Sequence, residues 1–139
     1  AALREMAECV DTSFVLDTLQ YMWKGGRCSG VTALGANLLK LKPCLQMQEG
    51  KLVVGKKYRG PIDKVYRQYV AERFEGKDVL PEHVFITHSG GVAQETLDAL
   101  VQQVQQAVPG CEVFITQAGC TVSSHCGPGT LGVLFLHRA

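Results

Sequence analysis

The segment of residues 120–136 constrains the fold of this chain more than any other part of its sequence. Small hydroxyl and thiol side chains surround one imidazole, His125, before Gly127-Pro128-Gly129 leads into the apolar run at residues 133–136. An apolar run that follows a glycine-proline turn is typical of a buried strand. The sequence therefore predicts a loop that precedes this strand, held at a sheet edge and facing outward.

The two glycines of this predicted loop favour a binding role for its backbone. Gly127 and Gly129 can adopt angles that a side chain would forbid, and we expect their amide N–H groups to be uncovered. Neighbouring Ser124 and His125 add a hydroxyl and an imidazole, both of which can donate hydrogen bonds. A loop with these groups suits an anion or a carboxylate.

Composition excludes several classes of protein. The chain has 139 residues, 46% of them hydrophobic and 19% charged, as is ordinary for one soluble globular domain. Its formal net charge of +1 gives no general reason to expect nucleic acid or an anionic membrane as a partner. No apolar run approaches the ~20 residues of a membrane span. We interpret the six cysteines as reduced thiols; they lie at positions 9, 28, 44, 111, 120 and 126. We therefore expect a cytoplasmic protein.

Hydrophobic periodicity predicts an α/β fold: a two-layer sandwich with a mixed sheet of about six strands and helices mainly on one face. The other face of the sheet then needs a cover that this chain does not obviously supply. The predicted helices cover residues 3–10, 17–24, 29–38, 61–76 and 93–108, and the predicted strands cover 13–16, 45–47, 52–54, 84–86, 113–115 and 133–136.

Several segments resemble, in order, the C-terminal domain of the DegV family of bacterial fatty-acid-binding proteins. The longest match is Ser124-His125-Cys126-Gly127-Pro128-Gly129-Thr130-Leu131-Gly132, where the family usually has a threonine on each side of the histidine. The other matching segments are residues 15–21, Lys24-Gly25-Gly26-Arg27, Leu41-Lys42-Pro43, Glu49-Gly50-Lys51, residues 57–60 and Ile86-Thr87-His88. Together they cover nearly the whole chain.

This resemblance implies a non-enzymatic protein that binds a long-chain fatty acid and presents it to a fatty acid kinase, which carries the ATP. Family members are about twice as long, and the lipid lies between two domains with its carboxylate near the histidine loop. We therefore expect residues 1–139 to be a single domain equivalent to the C-terminal half, with the N-terminal domain absent and half of the pocket missing.

We interpret six residues as ligand-binding, with His125 and Ser124 donating hydrogen bonds to the carboxylate. The full set is Ser124, His125, Cys126, Gly127, Gly129 and His88. Two simpler interpretations stay open: in one, His125 only ties its loop to backbone, and in the other, His88 and Ser89 only satisfy backbone groups at a turn. For His88 the simpler interpretation is favoured.

Two basic residues on a glycine-containing segment, Lys24 and Arg27, are candidates for docking the acidic or phosphate-bearing surface of the kinase. Exposed basic side chains that are simply solvated are the alternative. A homodimer of the isolated domain, which would cover its exposed apolar face, is a further candidate assembly.

Two other classes of function compete with lipid binding. One is a small Cys/His hydrolase or transferase with Cys126 or Cys120 as nucleophile, and the other is a protein-interaction module. The adjacent pair His125-Cys126 does not have a usual zinc spacing. For a nucleotide, the chain has neither GxxxxGK[ST] nor a GxGxxG at a strand-to-helix turn. The sequence thus predicts neither a metal nor a cofactor.

Overall fold

The computed structural model describes residues 1–26 and 40–138, which form five helices and six strands. The helices are α1 (Ala2–Glu8), α2 (Gln20–Lys24), α3 (Ile62–Phe74), α4 (Gln94–Ala107) and α5 (Cys120–Cys126). The strands are β1 (Val10–Val15), β2 (Lys42–Gln48), β3 (Lys51–Tyr58), β4 (Val79–His88), β5 (Val113–Gln117) and β6 (Leu131–His137). The helix predicted over residues 29–38 lies outside the described residues.

The six strands form one mixed sheet in the order β3-β2-β1-β6-β4-β5. Strands β4 and β5 are parallel, with α4 as the crossover that a parallel pair requires, and the other neighbours are antiparallel. The predicted mixed sheet of six strands is therefore confirmed. The glycine-proline turn, however, precedes an inner strand, so it lies at the ends of central strands and the prediction of a sheet edge was wrong.

Helices α3 and α4 pack on one face of this sheet. Strand β4 shows how alternation divides the two faces, since Val84 and Ile86 are fully buried while Phe85 between them remains 36% exposed. The largest fully buried side chains under the helices are Tyr66, Tyr69, Ile86 and Leu100. This face holds the main hydrophobic core of the described residues.

Tyr69 brings a hydroxyl group into that core, where the hydroxyl takes part in two hydrogen bonds. It lies 2.7 Å from Ser13 Oγ and accepts a hydrogen bond from the backbone N–H of Val133 at 3.0 Å. A buried hydroxyl without partners would cost stability, so these bonds make the tyrosine compatible with its site. They also tie α3 to the central strands β1 and β6.

On the opposite face, the helices of the described residues cover one end. There α2 and α5 enclose a small cluster made by Leu16, Leu19, Met22, Leu45 and Cys126. Further along the face the side chains are partly exposed, among them Val10, Met47, Leu52 and Phe85 at 36–49%. Phe85 stacks on Phe114 with ring centroids 5.3 Å apart. The prediction of helices mainly on one face is thus confirmed.

No helix among residues 1–26 and 40–138 combines the length and the apolar character needed to cross a bilayer.

Candidate functional site

Residues Cys120–Cys126, predicted as a loop, form the short helix α5 instead. Its backbone bonds run from Ser123 N–H to Gly119 O at 3.0 Å and from Gly127 N–H to Ser123 O at 2.9 Å. The helical repeat places His125 one turn after Thr121, and its ring Nδ1 lies 2.8 Å from the Thr121 carbonyl oxygen. Ser124, beside it on the same helix, is exposed.

The turn that follows α5 is fastened on several sides. Ser89 Oγ donates to Gly127 O at 2.5 Å, and the Tyr66 hydroxyl donates to Gly129 O at 2.5 Å. The Thr130 hydroxyl lies 3.1 Å from Gly127 O, and the Gly129 N–H donates to Gly90 O at 2.9 Å. The site is therefore held in one conformation before any ligand arrives.

These bonds correct one expectation about the turn. The amides of Gly127 and Gly129 are not uncovered, because they donate to the carbonyls of Ser123 and Gly90. These two amides are therefore not available to a ligand, and the predicted ligand contact at Gly127 and Gly129 would have to be made without them.

The glycines serve a close approach between helix α2 and the turn. Gly127 has φ +78° and ψ 174°, a conformation reserved almost entirely for glycine. A Cβ atom at this position would come within 2.2 Å of the Tyr21 ring. At Gly129, with φ +79°, a Cβ would come within 2.9 Å of Asp17 Cβ. The absence of side chains therefore lets Tyr21 and Asp17 lie directly against the turn.

The ring of His125 rests on the end of α2. A Cβ at Gly25 would come 3.0 Å from His125 Cδ2 and 3.6 Å from its Nε2, so glycine leaves room for the imidazole. The side chain is partly exposed, and its Nδ1 edge is occupied by the Thr121 carbonyl. Nε2 takes no part in the hydrogen bonds among the described residues, and its contact with a ligand stays a prediction.

His88 ends strand β4 at the same end of the sheet, and its Nδ1 accepts a hydrogen bond from Gly90 N–H at 3.1 Å. The next residue, Ser89, bonds to the Gly127 carbonyl. The interpretation that these two residues satisfy backbone groups at the turn is thus confirmed. The Nε2 atom of His88 is not used in that bond, and its contact with a ligand stays a prediction.

Cys126 lies inside the protein. Its side chain is only 5% exposed and packs with Leu16, Leu19, Met22 and Leu45. Burial raises the pKa of its thiol, which works against the thiolate that a nucleophile needs. The side chain acts as an apolar group here, so neither the predicted ligand contact nor a nucleophilic role finds support at Cys126.

An ion pair between Lys42 and Asp17 stabilises the turn and was not predicted as part of the site. Lys42 Nζ lies 2.6 Å from Asp17 Oδ1 and donates to the Asp17 carbonyl oxygen at 2.9 Å. Asp17 in turn touches Gly129, so this pair links strand β2 to the turn. Both residues lie in segments that resemble the family. That resemblance was the signal in the sequence that could have pointed to this pair. Tyr21 and Tyr66 were also missed as supports.

Of the two predicted docking residues, Lys24 is exposed in the last turn of α2, next to the glycine that His125 contacts. Arg27 lies outside the described residues. Within the part of the chain that is described, no three His, Cys, Asp or Glu side chains converge as metal ligands.

A cavity of about 280 Å³ lies far from this site, between the ends of α3 and α4 and the start of β4. Phe74, Lys77, Val79 and Pro81 are among its lining residues. Strand β4 runs from Val79 near this cavity to His88 near the turn. At a rise of about 3.3 Å per residue, the two places are roughly 30 Å apart.

Comparison with known proteins agrees with the fold. A sequence profile of the family described as "Uncharacterised protein, DegV family" matches residues 1–138, and the chain belongs to this family. A DegV domain-containing protein of Streptomyces coelicolor is 29% identical over 140 residues, which cover 99% of this chain and 48% of that protein. The chain spans about half the length of the curated relatives it matches.

Two solved structures give the same result. The structure of a DegV family protein from Thermus thermophilus is described by its fatty acid binding. It is 29% identical to this chain with a TM-score of 0.75, and the match covers 99% of this chain and 49% of that one. The Fatty Acid Kinase B3 protein of Streptococcus pneumoniae, loaded with linoleic acid, has a TM-score of 0.81 at 18% identity, covering 99% of this chain and 48% of that one. At that identity the second likeness concerns the fold alone.

Proposed function

We propose that this chain binds a long-chain fatty acid, with the carboxylate at the α5 end of the sheet and the acyl chain along the open sheet face. The observation that carries the proposal is the position of His125. His125 lies on α5, which with α2 covers one end of a sheet face whose other apolar side chains are partly exposed in the described part of the chain, and its Nδ1 is already bonded to the Thr121 carbonyl. Ser124 is the second proposed donor, and His88 the third.

The open face offers a continuous apolar surface for an acyl chain. Strand pairing places Phe14, Gly132 and Thr87 side by side in the row nearest to α5, and Gly132 lowers the surface there because it has no side chain. The next row contains Leu134 and Phe85. Each methylene that such a surface removes from water contributes about 0.8 kcal/mol, so a long chain gains far more than a short one.

The relatives support this choice of ligand. The protein of Thermus thermophilus is described by its fatty acid binding, and the chain covers about half of it. We propose that residues 1–139 correspond to the C-terminal domain of such a protein and supply half of its pocket. The chain would hold and present the lipid and would carry out no chemistry on it.

We further propose a fatty acid kinase as the partner that acts on the presented carboxylate. The exposed Lys24 beside the site supports this choice, because it offers a positive charge to an acidic or phosphate-bearing surface. Arg27 is proposed for the same contact. Since that partner needs ATP, we place this function in the cytoplasm. Without the partner, the open face would favour a homodimer.

The test is the affinity for oleate, measured by calorimetry and by native mass spectrometry. We expect His125→Ala and Ser124→Ala each to weaken binding, because each removes a hydrogen bond to the carboxylate. His137→Ala is the matched control, since this partly exposed histidine lies at the far end of β6, next to the start of β4, and packs against the core residue Phe135. Affinities that are unchanged in both site variants would show that the carboxylate lies elsewhere.

A further inference from the structure

The hydrogen bond of His125 fixes which ring nitrogen carries its proton. Nδ1 lies 2.8 Å from the Thr121 carbonyl oxygen, and a carbonyl oxygen can only accept a hydrogen bond. Nδ1 must therefore be the donor. Because a neutral imidazole has one N–H only, Nε2 of neutral His125 is a lone-pair acceptor.

His88, at the same end of the sheet, is held in the opposite arrangement. Its Nδ1 accepts the Gly90 N–H at 3.1 Å, so the proton of its neutral ring is on Nε2. Neutral His88 can thus donate a hydrogen bond from Nε2, whereas neutral His125 cannot. A carboxylate can therefore accept a hydrogen bond from Nε2 of neutral His88 but not from Nε2 of neutral His125.

A carboxylate offers only acceptors, so it would face a lone pair on Nε2 of neutral His125. On the basis of the function proposed above, we propose that the site takes up one proton from solvent together with the carboxylate, and that His125 carries it. The product is an imidazolium that donates from Nδ1 to Thr121 and from Nε2 to the ligand. Fatty-acid binding then weakens as the pH rises.

In the part of the chain that the structure describes, the surroundings of His125 leave this role to the ligand. On α5 the titratable neighbours are Cys120 and Cys126, and on α2, which packs against it, they are Tyr21 and Lys24. The turn after β4 adds His88. The carboxylate of Asp17, before α2, is paired with Lys42 at 2.6 Å. The charge that favours the imidazolium therefore comes from the bound carboxylate.

The experiment is a series of oleate titrations of the 139-residue chain from pH 6 to 9, at oleate concentrations where the lipid is monomeric. A carboxylic acid in water is ionised throughout this range, so a change in affinity reports on the protein. We expect the affinity to fall about tenfold per pH unit over the upper part of the range, as uptake of one proton requires. Calorimetry in two buffers with different heats of ionisation should give an uptake close to one proton.

Two variants and one second ligand assign the effect to His125. In His125→Gln the side-chain amide donates without taking up a proton, so the decline with pH should disappear while binding persists. His137→Gln, at the far end of β6, should keep the wild-type decline. Oleyl alcohol, which lacks the carboxylate, should bind with an affinity that does not decline with pH.

The possible failures are distinguishable. Oleate that binds with a flat pH profile in the wild type would overturn the proton uptake and leave lipid binding intact. A decline that survives in His125→Gln would mean that another group carries the proton, and would overturn its assignment to His125. No binding of oleate at any pH, in the wild type or the variants, would overturn both the proposed function and this inference.

Discussion

The two faces of the sheet are built from the same strands and serve different purposes. On β4, Val84 and Ile86 are fully buried under α3 and α4, whereas Phe85 between them is 36% exposed on the other side. Alternation along a strand thus gives one set of side chains to the core and the next set to solvent or a ligand. The covered face provides stability, and the open face, with His125 at its end, provides the proposed binding surface.

The largest difference between the faces should appear on truncation of neighbouring residues of β4. We expect Ile86→Ala to lower the free energy of unfolding by about 2–5 kcal/mol, because it leaves a cavity in the packed core. Phe85→Ala removes a larger side chain but should cost clearly less, since that ring is only partly buried. Urea unfolding measures both. Equal losses would mean that the open face is as tightly packed as the covered one.

Gly127→Ala tests the close approach of α2 to the turn. The φ of +78° alone should cost about 1–3 kcal/mol, and the Cβ would also meet the Tyr21 ring at 2.2 Å. Gly26→Ala is the matched control, with φ +68° and nothing within 4 Å of its Cβ, so it should lose less stability. Adding Tyr21→Ala to Gly127→Ala should recover part of the loss. A variant as stable as the Gly26 control would contradict this geometry.

Tyr66 connects the two faces, since it is buried in the core while its hydroxyl holds the Gly129 carbonyl. We expect Tyr66→Phe to destabilise the protein by about 1 kcal/mol, the usual contribution of such a bond. Oleate affinity should also fall, because the turn next to His125 becomes looser. Unchanged stability in thermal unfolding, together with unchanged affinity, would show that the turn does not depend on this bond.

The smallest effect concerns Glu72, which ties α3 to β3 at the margin of the covered face. Burial works to raise the pKa of this carboxyl, but hydrogen bonds from Lys56, Tyr58 and Gln68 outweigh it, and the pKa is lowered from its ordinary value of 4.5. A group with a lowered pKa stabilises the fold above that value and loses this effect as the pH falls through the folded pKa.

The stability difference between the wild type and Glu72→Gln should therefore be constant above about pH 5 and shrink in more acid solution. Glu112→Gln, with a side chain that is 65% exposed, serves as the control and should show no such trend. A difference that grows as the pH falls would have the wrong sign and would contradict the assignment.

The sequence predicted the regular part of the fold well because apolar periodicity records burial directly. Strand alternation and the stripes of α3 and α4 placed these elements within a few residues. The order of strands was not predictable, since pairing between β1 and β6 joins residues at opposite ends of the chain. Because the strand order was not predicted, the position of the glycine-proline turn next to an inner strand was not predicted either.

Helix α5 was missed for a local reason. Thr121, Val122, Ser123 and Ser124 are all modest helix formers, and propensity alone favours a loop there. Packing of Cys126 into the cluster with Leu19 and Met22 decides the conformation instead. The error about the glycine amides followed, because their partners are a helical carbonyl and the distant Gly90.

The most direct test of the proposed site is a titration of isotopically labelled protein with oleate, followed by the backbone amide shifts in NMR spectra. The largest changes should occur at Ser124, His125 and Gly127 and along the open face at Phe85 and Leu134. Residues around the cavity at the start of β4, such as Val79, should remain unaffected. Changes confined to that cavity, or none at saturating oleate, would contradict a carboxylate site at the α5 end of an open apolar face.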